Sequence, residues 1–181
     1  MNERYIKRFV LLMAAASSLL SNVAAADDKF YLGHYASTPE DIIEINQVMQ
    51  AFQSAILDKN GKLLSSLVLN SQILFSTTPS QKELDHIRDT TDEHYDGLAV
   101  GGFPAFSSFV SNSKTALQEK FYNARITQDD NLAWVSFDFE FLEDNVVTNY
   151  GLENWQLIKT DDKWKIFSVV WSSHGKPPAK P

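Results

Sequence analysis

Residues 132–173 read LAWVSFDFEFLEDNVVTNYGLENWQLIKTDDKWKIFSVVWSS, and this stretch decides the fold. Runs rich in β-branched and aromatic residues are separated by the polar turns Glu143-Asp144-Asn145 and Thr160-Asp161-Asp162-Lys163. Turns this short join neighbouring antiparallel strands. A third turn, Gln128-Asp129-Asp130-Asn131, connects the same stretch to an earlier run. The sequence therefore predicts a four-stranded antiparallel meander, with strands over residues 116–127, 132–142, 147–159 and 163–173.

Helices are predicted ahead of this sheet. Thr38-Pro39-Glu40-Asp41 has the features of a helix start, with a capping threonine, proline at the first helical position and acids in the first turn. Apolar side chains then recur at spacings of three and four residues, at Ile42, Ile45, Met49, Phe52 and Ile56. The following pattern predicts a short helix over 62–69, a strand over 72–77, and helices near 81–88 and 103–110.

The first 26 residues have the order of a secretory signal. Arg4, Lys7 and Arg8 precede an apolar run that is too short to cross a membrane, and Ala24-Ala25-Ala26 offers small residues for cleavage. We therefore expect residues 1–26 to be a cleaved signal peptide. A periplasmic or secreted protein without a membrane anchor would result.

The composition limits the possible chemistry. The chain has no cysteine, which excludes disulfides, thiolate metal sites and cysteine nucleophiles. Its formal net charge is −7, and nucleic acids and anionic lipids bind clustered basic residues instead. No phosphate-binding loop, dinucleotide fingerprint or nucleophile elbow is present. We expect no nucleic-acid partner, no metal and no cofactor.

The closing segments Gly151-Leu-Glu-Asn-Trp155 and Trp164-Lys-Ile-Phe-Ser-Val-Val-Trp-Ser-Ser173 resemble the last hairpin of the NTF2-like (SnoaL-like) superfamily. The resemblance implies an α+β cone, in which N-terminal helices pack on a curved, mainly antiparallel sheet. The resemblance covers roughly residues 40–174, and we expect an N-terminal arm at 27–37, the NTF2-like domain at 38–174 and a disordered, proline-rich tail at 175–181. The superfamily includes ketosteroid isomerases, dehydratases, polyketide cyclases, epoxide hydrolases and non-catalytic binding or assembly domains, so the fold alone does not choose a function.

Strand alternation predicts which side chains share a face, if the turns centre on Asp129-Asp130, Asp144-Asn145 and Asp161-Asp162. The resemblance implies that the face with Trp164 and Ile166 lines a concave pocket. It also implies that the opposite face pairs two subunits. In this register the outer face would carry the aromatic run of the second strand, Val135, Phe137, Phe139 and Phe141.

The predicted pocket face then brings three charged residues together, which are the candidate catalytic group: Asp138, Glu153 and Arg125. Candidate ligand-binding residues on the same face are Asn123, Trp134, Ser136, Trp155 and Ser168. Burial and a nearby charge would shift the pKa of such carboxyls, as acid–base chemistry requires. A structural salt bridge or a solvated rim would also explain the charged group, and core packing would explain the tryptophans.

Three classes of function remain open at this point. The first is a homodimeric exported domain that binds a small apolar or amphipathic molecule in the cone. The second is a cofactor-independent isomerase, dehydratase or cyclase, with Asp138 or Glu153 as general base and Arg125 or a tyrosine stabilising the oxyanion. The third is an assembly domain, for which we expect a filled cavity.

Overall fold

The computed structural model describes residues 33, 35–98 and 101–178. Five elements form the first part, namely α1 (Pro39–Leu57), α2 (Gly61–Leu67), β1 (Leu74–Thr78), α3 (Gln81–Thr90) and α4 (Gly102–Asn112). Four long strands follow, namely β2 (Leu117–Asp129), β3 (Leu132–Glu143), β4 (Val146–Thr160) and β5 (Lys163–Ser172). Every predicted helix and strand is present, with ends that differ by a few residues. The signal peptide predicted over residues 1–26 lies outside the described residues.

The strands form one sheet in the order β1-β5-β4-β3-β2. β2 to β5 are an antiparallel meander, and β1 joins the sheet edge parallel to β5. β1 is the first strand in the chain, and α3, α4 and β2 to β4 connect it to β5, which gives the long crossover that a parallel pairing requires. The predicted α+β class, with N-terminal helices on a mainly antiparallel sheet, is confirmed.

Helix α1 lies across the inner face of the sheet and supplies its main apolar stripe. Thr38 caps the helix by accepting a hydrogen bond from the Asp41 backbone N–H at 3.1 Å, as the sequence predicts. Phe52 is fully buried, and its ring centroid lies 4.9 Å from that of Trp155 on β4. Burying a side chain of this size contributes roughly 1.5–3 kcal/mol. The helix and the inner sheet face therefore share one core.

Each hairpin of the meander contains a β-bulge beyond its turn. On β2 the register shifts between Tyr122 and Arg125, where Asn123 has a φ of 55°. On β4 the shift leaves Thr148 without a partner, and on β5 it leaves Phe167 without one. An extra residue in one strand reverses the alternation of the residues beyond it. The faces predicted from the turns are therefore reversed in part of every hairpin.

The aromatic run of β3 is on the inner face, so its predicted place on the outer face is wrong. Val135 pairs with Trp155, and Phe137 pairs with Glu153. The bulge at Thr148 causes this difference, since the predicted turn at Asp144-Asn145 is correct. The turn between β2 and β3 is at Asp130-Asn131, one residue later than predicted. Trp164 and Ile166 are on the inner face, as expected.

Candidate functional site

A cavity of about 380 Å³ lies between the inner sheet face and helices α1 and α4. Its walls are mostly aromatic: Phe52, Phe75, Phe106, Phe109, Phe139, Phe141 and Trp171. Polar groups at its mouth are contributed by Glu143, Thr148, Asn149, Ser173 and Gly175, close to the turn between β3 and β4. Pockets of a few hundred Å³ with apolar walls and a few polar groups are typical of small-molecule sites.

Two buried glutamates also line this cavity. Glu119 on β2 is 6% exposed and Glu153 on β4 is 3% exposed. Trp155 Nε1 donates a short hydrogen bond to Glu153 Oε1. Glu119 Oε2 is buried without a hydrogen-bond partner among the described residues. A buried polar atom that lacks a partner is uncommon and destabilising, which marks this wall of the cavity as a candidate binding site.

Both glutamate side chains have raised pKa values. Burial raises the pKa of Glu119 well above its usual range, and the charge on neighbouring Glu153 raises it further. Burial raises the pKa of Glu153 to about 7, although the hydrogen bond from Trp155 acts in the opposite direction. Desolvation disfavours a charged carboxylate, and two such groups close together disfavour double ionisation. The pair therefore holds protons near neutral pH and can both donate and accept them.

The local sequence explains why these acids face inward. Glu119 has the same phase on β2 as Leu117 and Phe121, both of which contact the core. Glu153 has the same phase on β4 as the fully buried Trp155. An acid at an apolar position of an alternating strand is the sequence signal for Glu119, which was not among the predicted site residues.

Four predicted site residues meet on the outer face of the sheet instead of in the cavity. Asn123, Arg125, Ser136 and Asp138 line a surface depression, in which Asn123 Nδ2 donates to Asp138 Oδ2 at 2.7 Å. The bulges in β2 and β4 place them on the side opposite Glu153. The prediction that Asp138, Arg125 and Glu153 share one cavity is therefore wrong.

The remaining predicted ligand-binding residues have three different positions. Trp134 is on the outer face and is 41% exposed, so its predicted place in the pocket is wrong. Ser168 is buried away from the cavity and donates to Gln156 Oε1 at 3.0 Å. Trp155 is on the inner face, as expected, but is fully buried behind the cavity against Phe52 and Phe137. Its contact with the cavity is the hydrogen bond to Glu153.

A second buried carboxylate site is formed by Asp41 at the start of α1, which is surrounded by donors. Lys159 Nζ at 2.8 Å and Trp164 Nε1 at 3.0 Å donate to one oxygen of Asp41. Gln128 Nε2 at 2.8 Å and Thr38 Oγ1 at 2.9 Å donate to the other. These bonds, led by that from Lys159, hold the pKa of Asp41 well below its usual range. This carboxylate connects the helix to three strands and has no capacity left for a ligand.

Within the described ranges, no three acidic or histidine side chains are grouped so that they could hold a metal ion. No helix in this part of the chain is both long and apolar enough to span a membrane.

Solved structures with low sequence identity share the architecture. A protein described as a candidate dehydratase of the NTF2-like family from Streptomyces avermitilis is 17% identical, with a TM-score of 0.56 over 76% of this chain and 99% of that protein. An NTF2-like protein of unknown function from Pseudomonas putida KT2440 is 9% identical, with a TM-score of 0.56 over 81% and 100%. A protein of unknown function with a cystatin-like fold from Nostoc punctiforme is 13% identical, with a TM-score of 0.53 over 80% and 96%.

The chain therefore has the NTF2-like α+β fold, and the resemblance based on residues 151–173 is confirmed. No protein-family model matches the sequence, and no curated protein is similar to it. At these identities the similarity establishes the fold, so function has to be argued from the cavity.

Proposed function

We propose that this domain binds a small apolar or amphipathic molecule in its inner cavity. The observation that carries the proposal is the cavity of about 380 Å³, whose lining includes seven aromatic side chains and two buried glutamates. An assembly domain would have no reason to keep such a space, because filling it with side chains would add stability. The unpartnered oxygen of Glu119 is a further reason to expect an occupant.

Mass spectrometry of molecules that co-purify with the full chain tests this proposal. Ser173→Trp would place a large ring at the mouth of the cavity, and Ser136→Trp would add the same ring to the outer face. We expect one reproducible small molecule with the unmodified protein and with Ser136→Trp, and its loss with Ser173→Trp. Equal recovery from all three proteins, or no molecule from any, would contradict binding in this cavity.

A second candidate function is proton transfer without a cofactor, in an isomerase, dehydratase or cyclase. The observation that favours it is the pKa of about 7 for Glu153, which suits a general base near neutral pH. Protonated Glu119 would donate a hydrogen bond to a developing oxyanion, as a carboxylic acid in an apolar site can. Asp138 and Arg125 are on the outer face, so they have no role in this version.

Deuterium incorporation into the co-purified molecule distinguishes catalysis from binding. The molecule would be incubated with the protein in heavy water and followed by NMR. Catalysis predicts incorporation or conversion with the unmodified protein and its loss with Glu153→Gln. An unchanged molecule in both reactions would leave binding as the function.

Export and pairing of subunits are parts of the same proposal. Residues 1–26 would direct export, so the mass of the protein recovered outside the cytoplasm should correspond to a chain that begins at Asp27. The outer sheet face carries exposed apolar side chains, which support pairing of two copies there: Tyr122, Trp134, Leu152 and Phe167. Light scattering should give a dimer that Trp134→Asp weakens, and a monomeric unmodified protein would contradict this pairing.

A further inference from the structure

Among the described residues, the charges that line the cavity are all acidic. Glu119 and Glu153 are inside it and Glu143 is at its mouth, and no lysine, arginine or histidine of the described part of the chain lines it. None of the three glutamates has a salt-bridge partner among the described residues. An anion in this cavity would be desolvated without a cationic partner among the described lining residues, and any carboxyl that ionises would repel it. The lining therefore selects against carboxylate and phosphate ligands.

The walls of the cavity suit an organic cation. Phe52, Phe75 and Trp171 are among the aromatic rings that form them, and the faces of such rings attract ammonium groups. The rings also offer apolar surface to the rest of the molecule. Glu119 Oε2 has no donor among the residues that the structure describes, and a protonated amine would supply one.

A divalent metal ion is a poorer match for the same groups. Calcium takes about six to eight oxygen ligands, and magnesium needs a nearly ideal octahedron of oxygens or waters. The inner part of this cavity offers two carboxyl groups between aromatic rings. An organic cation would pair with the carboxyl groups through its charge and contact the aromatic rings through its apolar part.

We propose that the occupant of the cavity is an amphipathic amine, whose protonated nitrogen lies between Glu119 and Glu153 and whose apolar body lies against the aromatic rings. This inference rests on the proposed binding function and names the chemical class of its ligand. Bound in this way, the amine pairs two buried acids for which the described residues supply one hydrogen-bond donor, the Trp155 indole.

Binding of a cation to this pair would release protons. Near neutral pH the two glutamates hold protons because burial raises the pKa of each. A positive charge between them favours the ionised forms, so about one proton should leave for each amine bound near neutral pH. Glu143 is the other titratable group among the described residues that line the cavity, and its position at the mouth makes its contribution smaller.

Isothermal titration calorimetry with three probes of one shape tests the inference: phenylbutylamine, phenylbutanol and phenylbutyrate. Each titration would use the full chain near neutral pH, in phosphate and in Tris, because the difference in heat between these buffers reports proton release. We expect the amine to bind at least about tenfold more tightly than the alcohol, with proton release for the amine alone. Phenylbutyrate should bind most weakly.

Glutamine variants locate the effect. Glu119→Gln and Glu153→Gln should each reduce amine affinity about tenfold or more while changing alcohol affinity little. Asp138→Asn, on the outer face, is the matched control and should leave both affinities unchanged. Circular dichroism would verify that each variant is folded before its affinity is compared.

The three probes separate the possible failures. Alcohol binding as tight as amine binding, without proton release, would overturn the amine inference and leave the proposed binding function intact. Tightest binding of phenylbutyrate would also overturn the inference. Failure of all three probes to bind would count against both the inference and the binding function.

Discussion

Two buried carboxylate sites lie at opposite ends of the sheet, and they differ in how many donors they have. Asp41, near the turns of the β2–β3 and β4–β5 hairpins, accepts from four side chains. Glu119 and Glu153, in the cavity toward the β3–β4 turn, together accept from one donor in the described part of the chain, the indole of Trp155. The pKa of Asp41 is lowered, whereas the pKa values of the two glutamates are raised.

The difference separates a structural carboxylate from a candidate functional one. Burial acts on both sites and disfavours charge in each. At Asp41 the donors outweigh burial, so the charge is kept and connects α1 to the sheet. At the glutamate pair burial dominates, so the fold keeps two groups that are poorly satisfied without a ligand. Such unfavourable local arrangements are expected at functional sites.

Removing Asp41 should have the largest effect on stability. Asp41→Leu leaves Trp164 Nε1 without its buried acceptor and removes one of the two acceptors of Gln128 Nε2. We expect the free energy of unfolding to fall by about 3 kcal/mol, measured by urea denaturation with circular dichroism. The same change at exposed Asp138 should cost less than about 0.5 kcal/mol. Equal stabilities of the Asp41→Leu and Asp138→Leu variants would contradict a structural role for Asp41.

Removing the carboxyl group of Glu119 should raise the stability, whereas removing that of Asp41 lowers it. Glu119→Met keeps a similar volume and deletes an oxygen that has no partner among the described residues. We expect the free energy of unfolding to rise by about 1–3 kcal/mol near neutral pH, while binding of the amine probe is lost. Glu119→Gln keeps a polar group, so its free energy of unfolding should rise by less than that of Glu119→Met. A loss of stability like that of Asp41→Leu would show that the glutamate is structural too.

The pH dependence of stability should also have opposite signs at the two sites. A free glutamate has a pKa near 4.3, so between that pH and the raised values of Glu119 and Glu153 the folded chain binds more protons than the unfolded one. Stability therefore falls as pH rises, by at most about 1.4 kcal/mol per pH unit for each group. Glu119→Gln combined with Glu153→Gln should flatten this part of the curve.

Asp41 controls the acidic part of the same curve. Its folded pKa is lower than the value near 3.9 of a free aspartate, so its contribution is complete above that pH and is lost as pH falls through the folded pKa. Asp41→Asn should weaken this acid dependence and leave the behaviour near neutral pH unchanged. Urea denaturation at a series of pH values measures both parts. A curve that neither set of variants alters would contradict the comparison.

Replacing each of the two indole donors by phenylalanine should change the two carboxylate sites least. Trp155→Phe removes the donor to Glu153 and should raise the pKa of Glu153 further. Trp164→Phe leaves Asp41 three donors, so Asp41 should stay ionised at neutral pH. NMR titration of the carboxyl carbons would measure both. An unchanged pKa of Glu153 in Trp155→Phe would mean that this bond does not influence the charge of the pair.

Local patterns were sufficient to predict the elements and most turns. The capping Thr38 and the polar turns at Asp144-Asn145 and Asp161-Asp162 are correct because a cap or a turn depends on its own residues. The register beyond each turn was not predictable in this way. Asn123, Thr148 and Phe167 mark the bulges, and none of these residue types signals a bulge when read alone.

The sequence by itself determined the α+β class, the helix starts, the strands and the acidic, cysteine-free chemistry, because periodicity and composition are properties of neighbouring residues. Only the tertiary structure decided that Asp138 and Arg125 are outside, that Glu119 joins Glu153 in the cavity, and that Asp41 is fully paired. The physical reason is that a single bulge moves the side chains beyond it to the opposite face of the sheet. The charge of each carboxyl then depends on how deeply it is buried and on how many hydrogen-bond donors surround it.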